Sequence, residues 1–167
     1  YYNNGQKIPN IVVTNMNTSI GSVLLPALSK EQGNPELVKA HMRRSIQVSS
    51  YILWPIMLGI AACSNSIIGL LLTDKWLPSV PYLQIACIYY ALMPIHTSNL
   101  QAITAMGRSD LFLKMEIIKK VVGVIALLVS VQFGVLAIAL SSILTGIVST
   151  VINAWPDRKL LGYNYRE

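Results

Sequence analysis

Charge is what this sequence has least of. Only 12% of its 167 residues are Asp, Glu, Lys or Arg, against roughly 25% in an ordinary soluble domain. With 53% hydrophobic residues and a mean hydropathy of +0.53, the chain falls in the integral-membrane class. Acid is scarcer than base, 7 residues against 13, for a net charge of +6. No Asp or Glu is read in the middle of an apolar run, which weighs against a proton pump built on a buried carboxylate. The basic excess does not imply nucleic acid, because Lys and Arg cluster in short connectors between apolar runs, as membrane topology requires. Cysteine is nearly absent. Cys63 and Cys87 lie in apolar runs without a His cluster, so they read as small apolar side chains and not metal ligands. The sequence also lacks a nucleotide-binding loop, a zinc spacing, paired catalytic carboxylates and a Ser/His/Asp arrangement. No metal, cofactor or enzymatic activity is expected.

What is there is a series of five apolar segments, at about 8–28, 46–72, 82–106, 111–131 and 135–154. Each reaches or nears the roughly 20 residues that span a bilayer as a helix, and none alternates as the strands of a barrel do. The expected fold is all-α: a polytopic membrane bundle of about five transmembrane helices. The opening YYNNGQK carries neither a starting Met nor a signal peptide, so the chain reads as the partial second bundle of a larger two-bundle transporter.

The connectors predict an orientation. Cytoplasmic loops at 29–45 and 107–120 hold Lys30, Lys39, Arg43 and Arg44, then Arg108, Lys114, Lys119 and Lys120. The tail after the last segment adds Arg158, Lys159 and Arg166, whereas TDKWLPSVP and QFG are near neutral. This alternation puts both basic loops and the C-terminus in the cytoplasm. Locally, Asn34, Pro35 and Glu36 read as a helix start, and Leu37, Val38, Met42 and Ile46 as an amphipathic lead-in at the cytoplasmic surface. Ser109 or Asp110 reads as the cap of the fourth segment. Trp54, Trp76, Trp155, Tyr82 and Tyr163 fall mostly near segment ends, where amphipathic rings favour the interface.

The first segment is unusual for its amides and hydroxyls. Asn3, Lys7, Asn10, Thr14, Asn17 and Gly21 recur in steps of four and three, which sets them on one helix face. Thr18 and Ser22 widen it, with Ile11, Val12, Val13, Ile20, Val23 and Leu24 opposite. Two readings stand. The stripe lines a water-filled cavity, or it bonds neighbouring helices at about 0.6 kcal/mol per contact. Its length favours the cavity. Gln84, Ser98 and Gln101 form a weaker polar face on the third segment, interrupted by Pro94. Ser142, Thr145, Ser149 and Asn153 on the fifth read as packing, with Ser142 and Gly146 a small-xxx-small pair. His96 and Asn99 lie off the polar face, and His96 reads as a hydrogen-bonded structural residue. Pro9, Pro26, Pro55 and Pro94 are expected to kink their helices.

YYNNGQKIPNIVVTNMNTSIGSVLLPALSK, LLTDKWLPSVPYLQI and NLQAITAMGRSDLFLKMEIIKK together resemble the second half of bacterial polysaccharide flippases of the multidrug/oligosaccharidyl-lipid/polysaccharide exporter superfamily, whose members include lipopolysaccharide and O-antigen biosynthesis proteins. The resemblance covers essentially the whole chain. It implies a bacterial inner-membrane transporter of twelve to fourteen helices in two bundles. Such a protein moves an undecaprenyl-diphosphate-linked oligosaccharide between leaflets by alternating access. Asn10, Thr14, Asn17, Thr18, Gly21, Ser22, Gln84, Ser98 and Gln101 would then line the sugar path. Lys7, Arg43, Arg44, Arg108 and Lys114 would meet the diphosphate or lipid headgroups. Expected partners are that lipid-linked substrate, membrane lipids and other polysaccharide-assembly proteins. The alternatives are an ion-coupled drug antiporter of the same superfamily and a membrane enzyme or scaffold of polysaccharide assembly.

Overall fold

A computed structural model of the chain describes residues 1–31 and 33–161, with the backbone alone at Pro35, Ser109 and 154–161. Seven α-helices follow in order: α1 Tyr2–Lys30, α2 Pro35–Ala62, α3 Ser64–Leu72, α4 Val80–Ala91, α5 Met93–Ala105, α6 Ser109–Val131 and α7 Val135–Leu161. A 3₁₀ stretch, Asp74–Ser79, joins α3 to α4. No strand occurs among the described residues. Three stretches, Tyr2–Lys30, Glu36–Ala62 and Val135–Asn153, are each long and apolar enough to cross a membrane. The chain is an all-α membrane bundle, as its composition requires.

Two of the apolar segments are divided. The one at 46–72 is the later part of α2 followed by α3, with a turn at Cys63. The one at 82–106 breaks at Leu92 into α4 and α5, of 12 and 13 residues. Pro94 explains the second break. It is the second residue of α5 and has no N–H to bond the carbonyl four residues back. Pro9, Pro26 and Pro55 instead lie inside unbroken helices, whose remaining hydrogen bonds carry the chain past them.

The helix starts divide as well. Asn34 caps α2 as expected, its side-chain oxygen accepting the Leu37 N–H at 3.4 Å. On α6 Arg108 holds the cap position and makes no side-chain cap hydrogen bond, while the side chain of Ser109 lies outside the described residues. The Asp110 carboxylate takes the Arg108 guanidinium instead, at 3.1 and 3.3 Å. Trp155, Arg158, Lys159, Tyr163 and Arg166 lie outside the described side chains.

The α4–α5 pair sits at the centre, with α1 and α2 packed on it from one side and α7 from the other. One core gathers Val13, Leu53, Met57, Ile68, Leu83 and Cys87. A second gathers Ile20, Leu24, Leu28, Val38, Met42 and Ala102. Val38 and Met42 of the amphipathic lead-in are therefore packed against α1 and α5. Gly5 lets the first turn of α1 touch the start of α4, where a Cβ would lie 2.8 Å from the Leu83 nitrogen. Edge-to-face pairs of Tyr1 with Trp76 and Tyr2 with Tyr82 close the same end. The α6–α7 hairpin is packed differently: it buries Met115 and Ala139 and exposes a long series of apolar side chains, from Leu113 to Val151.

Candidate functional site

Most of the polar stripe of α1 is exposed, and one edge of it is packed. Lys7, Asn10, Thr14, Thr18 and Ser22 are all exposed, while Val13, Ile20 and Leu24 are buried. Their hydroxyls bond within α1: Thr14 Oγ1 donates to Asn10 Oδ1 at 3.3 Å, Thr18 Oγ1 to the Thr14 carbonyl at 2.9 Å and Ser22 Oγ to the Ser19 carbonyl at 3.0 Å. A hydroxyl whose proton is held this way keeps its oxygen lone pairs turned outward as acceptors.

One edge of the stripe meets α5. Thr97 Oγ1 donates to Asn17 Oδ1 at 2.9 Å. Gln101 lies over Gly21, where a Cβ would come within 3.2 Å of the Gln101 Nε2; glycine there keeps the amide close to α1. The other named polar residues stand apart. Ser98 is fully buried and shares a 3.3 Å hydrogen bond with Ser45 of α2. Gln84 Nε2 donates to Ser64 Oγ at 3.1 Å and to the Ala61 carbonyl at 3.4 Å, tying α4 to the α2–α3 turn.

The basic residues separate in the same way. Arg44 is exposed and, with His41, lines a groove of about 380 Å³ between α1 and α2. The walls of that groove include Met16, Ile20, Leu24, Val48 and Ile52. Arg43 is half-buried and Lys114 exposed. Arg108 is engaged by Asp110: their hydrogen bonding holds the carboxyl below its ordinary value and the guanidinium above its own.

A second polar region lies across the bundle. A cavity of about 360 Å³ is walled by α4, α5, α6 and α7. Glu116 and Lys119 line it and form an ion pair on successive turns of α6. Lys120, Thr145, Ser149 and Thr150 also line it, and the Tyr89 ring rests against Gly146. His96 reaches the same cavity, and its Nδ1 shares a 2.6 Å hydrogen bond with the Asn153 side-chain amide, a structural partner of the expected kind. Among the described residues no His/Cys/Asp/Glu group could hold a metal.

Comparison with known proteins finds sequence relatives. Residues 1–81 match the family described as polysaccharide biosynthesis protein. The chain is 26% identical over 168 residues to the lipopolysaccharide biosynthesis protein WzxC of Escherichia coli K12, an alignment that covers 99% of this chain and 34% of that protein. It is 23% identical over 155 residues to the teichuronic acid biosynthesis protein TuaB of Bacillus subtilis 168, covering 92% of this chain and 32% of TuaB. An uncharacterized membrane protein in the cps region of Klebsiella pneumoniae is 30% identical over 103 residues, 62% of this chain and 21% of that protein. The family match covers just under half of this chain. No solved structure matches it significantly.

The chain spans about a third or less of the length of these relatives. The part that matches the family description, residues 1–81, holds the α1 stripe and the α1–α2 groove. The cavity beside α6 lies outside it. Sequence reasoning had the stripe and missed the cavity, because Glu116 and Lys119 were counted with the basic connector at 107–120. Their i, i+3 spacing on a helix was the available signal.

Proposed function

We propose that the chain forms part of a protein that translocates a lipid-linked oligosaccharide across the bacterial cytoplasmic membrane. In this reading α1 lines the path, and the C-terminus faces the cytoplasm. A saccharide is dense in hydroxyls, so its route through the bilayer needs polar groups in place of water. The observation that carries the reading is the exposed face of α1, where Asn10, Thr14, Thr18 and Ser22 bond within their own helix and not to neighbours. The α1–α2 groove, apolar with His41 and Arg44 among its lining residues, suits a lipid tail whose diphosphate meets a guanidinium. The transport step breaks no bond, so it asks for positioning groups and no catalytic residues.

The test is transport of an undecaprenyl-diphosphate oligosaccharide by the full-length protein in proteoliposomes. Thr14→Val together with Thr18→Val removes two hydroxyls and preserves shape. The expected result is a several-fold slower transfer with unchanged thermal midpoint. Unchanged transfer contradicts the reading. Orientation is checked separately with single Cys probes at Lys75 and Arg108, both exposed, which should label from opposite sides of the membrane.

A further inference from the structure

We infer that Gln101 is a substrate-contacting residue of the α1 path: its side-chain amide, held over Gly21, takes a vicinal diol of a sugar unit. The inference rests on the saccharide-translocation reading and names one contact within it. The supply of donors is the first argument. Thr18, Ser19 and Ser22 are exposed on α1, and each hydroxyl donates into its own helix, to the carbonyls of Thr14, Asn15 and Ser19. With Ile20 and Gly21 between them, the side chains from Thr18 to Ser22 offer a ligand acceptors alone. A sugar hydroxyl both donates and accepts, so this stretch meets half of what it needs. Gln101 lies at the same level and carries two N–H donors beside a carbonyl acceptor.

The state of that amide is the second argument. Four of its neighbours on α5 are bonded: His96 with Asn153, Thr97 with Asn17, Ser98 with Ser45 and Thr104 with the Leu100 carbonyl. Gln101 has no hydrogen-bond partner among the described residues. Its side chain is half-buried, and its amide atoms are not sealed from solvent. A polar group so placed is satisfied by water or by a ligand oxygen. The N–H and C=O of a carboxamide lie side by side, so one donates to a sugar oxygen while the other accepts the O–H next to it. A vicinal diol offers that pair, whereas an ionised carboxylate offers acceptors only. The oxygens of Thr18 and Ser22 take further hydroxyl protons alongside.

Placement is the third. Gly21 shares the face of Thr14 and Thr18 on α1, a helix long and apolar enough to cross a membrane. A Cβ at Gly21 would lie 3.2 Å from Gln101 Nε2, so a side chain there shifts the amide. One turn along, the 2.9 Å bond from Thr97 to Asn17 ties α5 to α1 and fixes their separation at this level. The amide is thereby set at the edge of the stripe, where it reaches a ligand on the exposed face without covering that face.

The experiment uses the purified full-length protein and two probes, undecaprenyl diphosphate alone and the same lipid carrying a glucose disaccharide. The ratio of their affinities isolates the sugar contacts from those of the lipid and the diphosphate. In the wild-type protein the glycosylated probe should bind more tightly. Gln101→Met, which keeps the length and removes the amide, should lower the ratio about fivefold, the contribution of one neutral hydrogen bond, with an unchanged thermal midpoint. Gly21→Ala should lower it by a smaller factor in the wild-type background and not at all beside Gln101→Met, because its effect passes through the amide. Equal affinities for the two probes in the wild-type protein overturn the inference. So does a ratio that survives Gln101→Met, or a Gly21→Ala loss of the same size in both backgrounds. A lowered midpoint in Gln101→Met leaves Gly21→Ala alone to decide, and a ratio unchanged by it overturns the inference. Transport of the glycosylated probe in proteoliposomes is measured alongside. If the wild-type protein transports it while the ratio survives Gln101→Met, this inference fails and the translocation reading stands; if the wild-type protein transfers none, the translocation reading fails whatever the ratios show.

Discussion

Helices α1–α5 and the α6–α7 hairpin solve the same problem in opposite ways. The first group buries its apolar residues in two cores drawn wholly from the stretch before Gly107 and leaves amides and hydroxyls outside on α1. The hairpin turns apolar residues outward, with Leu128 64% and Phe133 76% exposed, and keeps its charged pair inside against α5. An exposed polar face inside a membrane protein needs water or a polar ligand beside it, whereas an exposed apolar face needs only lipid. The difference therefore separates an exposed polar face on α1 from an exposed apolar face on the hairpin, which lipid or further helices can cover.

The largest expected effect tests the packing side of that contrast. Leu53 is fully buried and Leu128 is not. Leu53→Ala should destabilise the full-length protein by about 2 kcal/mol or more, in the range of core truncations. Leu128→Ala should leave the thermal midpoint nearly unchanged. Equal losses would mean that the hairpin is packed as tightly as the core. Next in size is Gly5→Val, whose Cβ meets the Leu83 backbone nitrogen; overpacking of this kind costs roughly 1–3 kcal/mol, read as a lowered midpoint. Gly59→Ala, where an added Cβ meets nothing within 4 Å, serves as its control.

The smallest effect sharpens the boundary of the stripe. Asn17 bonds Thr97 across to α5, while Thr14 and Thr18 bond within α1. Asn17→Leu should lower stability by about 0.6 kcal/mol, the average for such contacts in membranes. Thr14→Val should leave stability alone and slow transport. A reversal of these two outcomes would exchange the roles of glue and lining between the residues.

How far the sequence foretold this follows from what is local and what is not. The helical class, the α2 start at Asn34 and the stripe on α1 depend on composition, capping chemistry and a 3.6-residue period, all readable along the chain. The break at Leu92 was signalled by Pro94, but three other prolines sit in unbroken helices, so proline alone does not say which helix divides. Ser98 and Gln84 share the polar character of Thr14, yet they bond across to α2 and to the α2–α3 turn. Sequence spacing fixes which residues share a face and not which face meets a neighbour. Lys119 and Glu116 were hidden for a related reason. Charges mark connectors in a membrane sequence, and only the packing of α6 on α5 and α7 turns these two inward.

The central claim is that the outer face of α1 meets water. In the full-length protein with Cys63 and Cys87 replaced, single Cys substitutions at Thr14, Thr18 and Ser22 should react with a membrane-impermeant thiol reagent. Substitutions at Val13 and Leu24, buried in the bundle, should not. Leu128 decides the matter, because it is exposed like the stripe but is itself apolar. The account predicts reactive positions on α1 and an unreactive one at Leu128. A Thr14 probe as unreactive as the Leu128 probe would contradict it, and would make the stripe a surface covered by lipid or another helix.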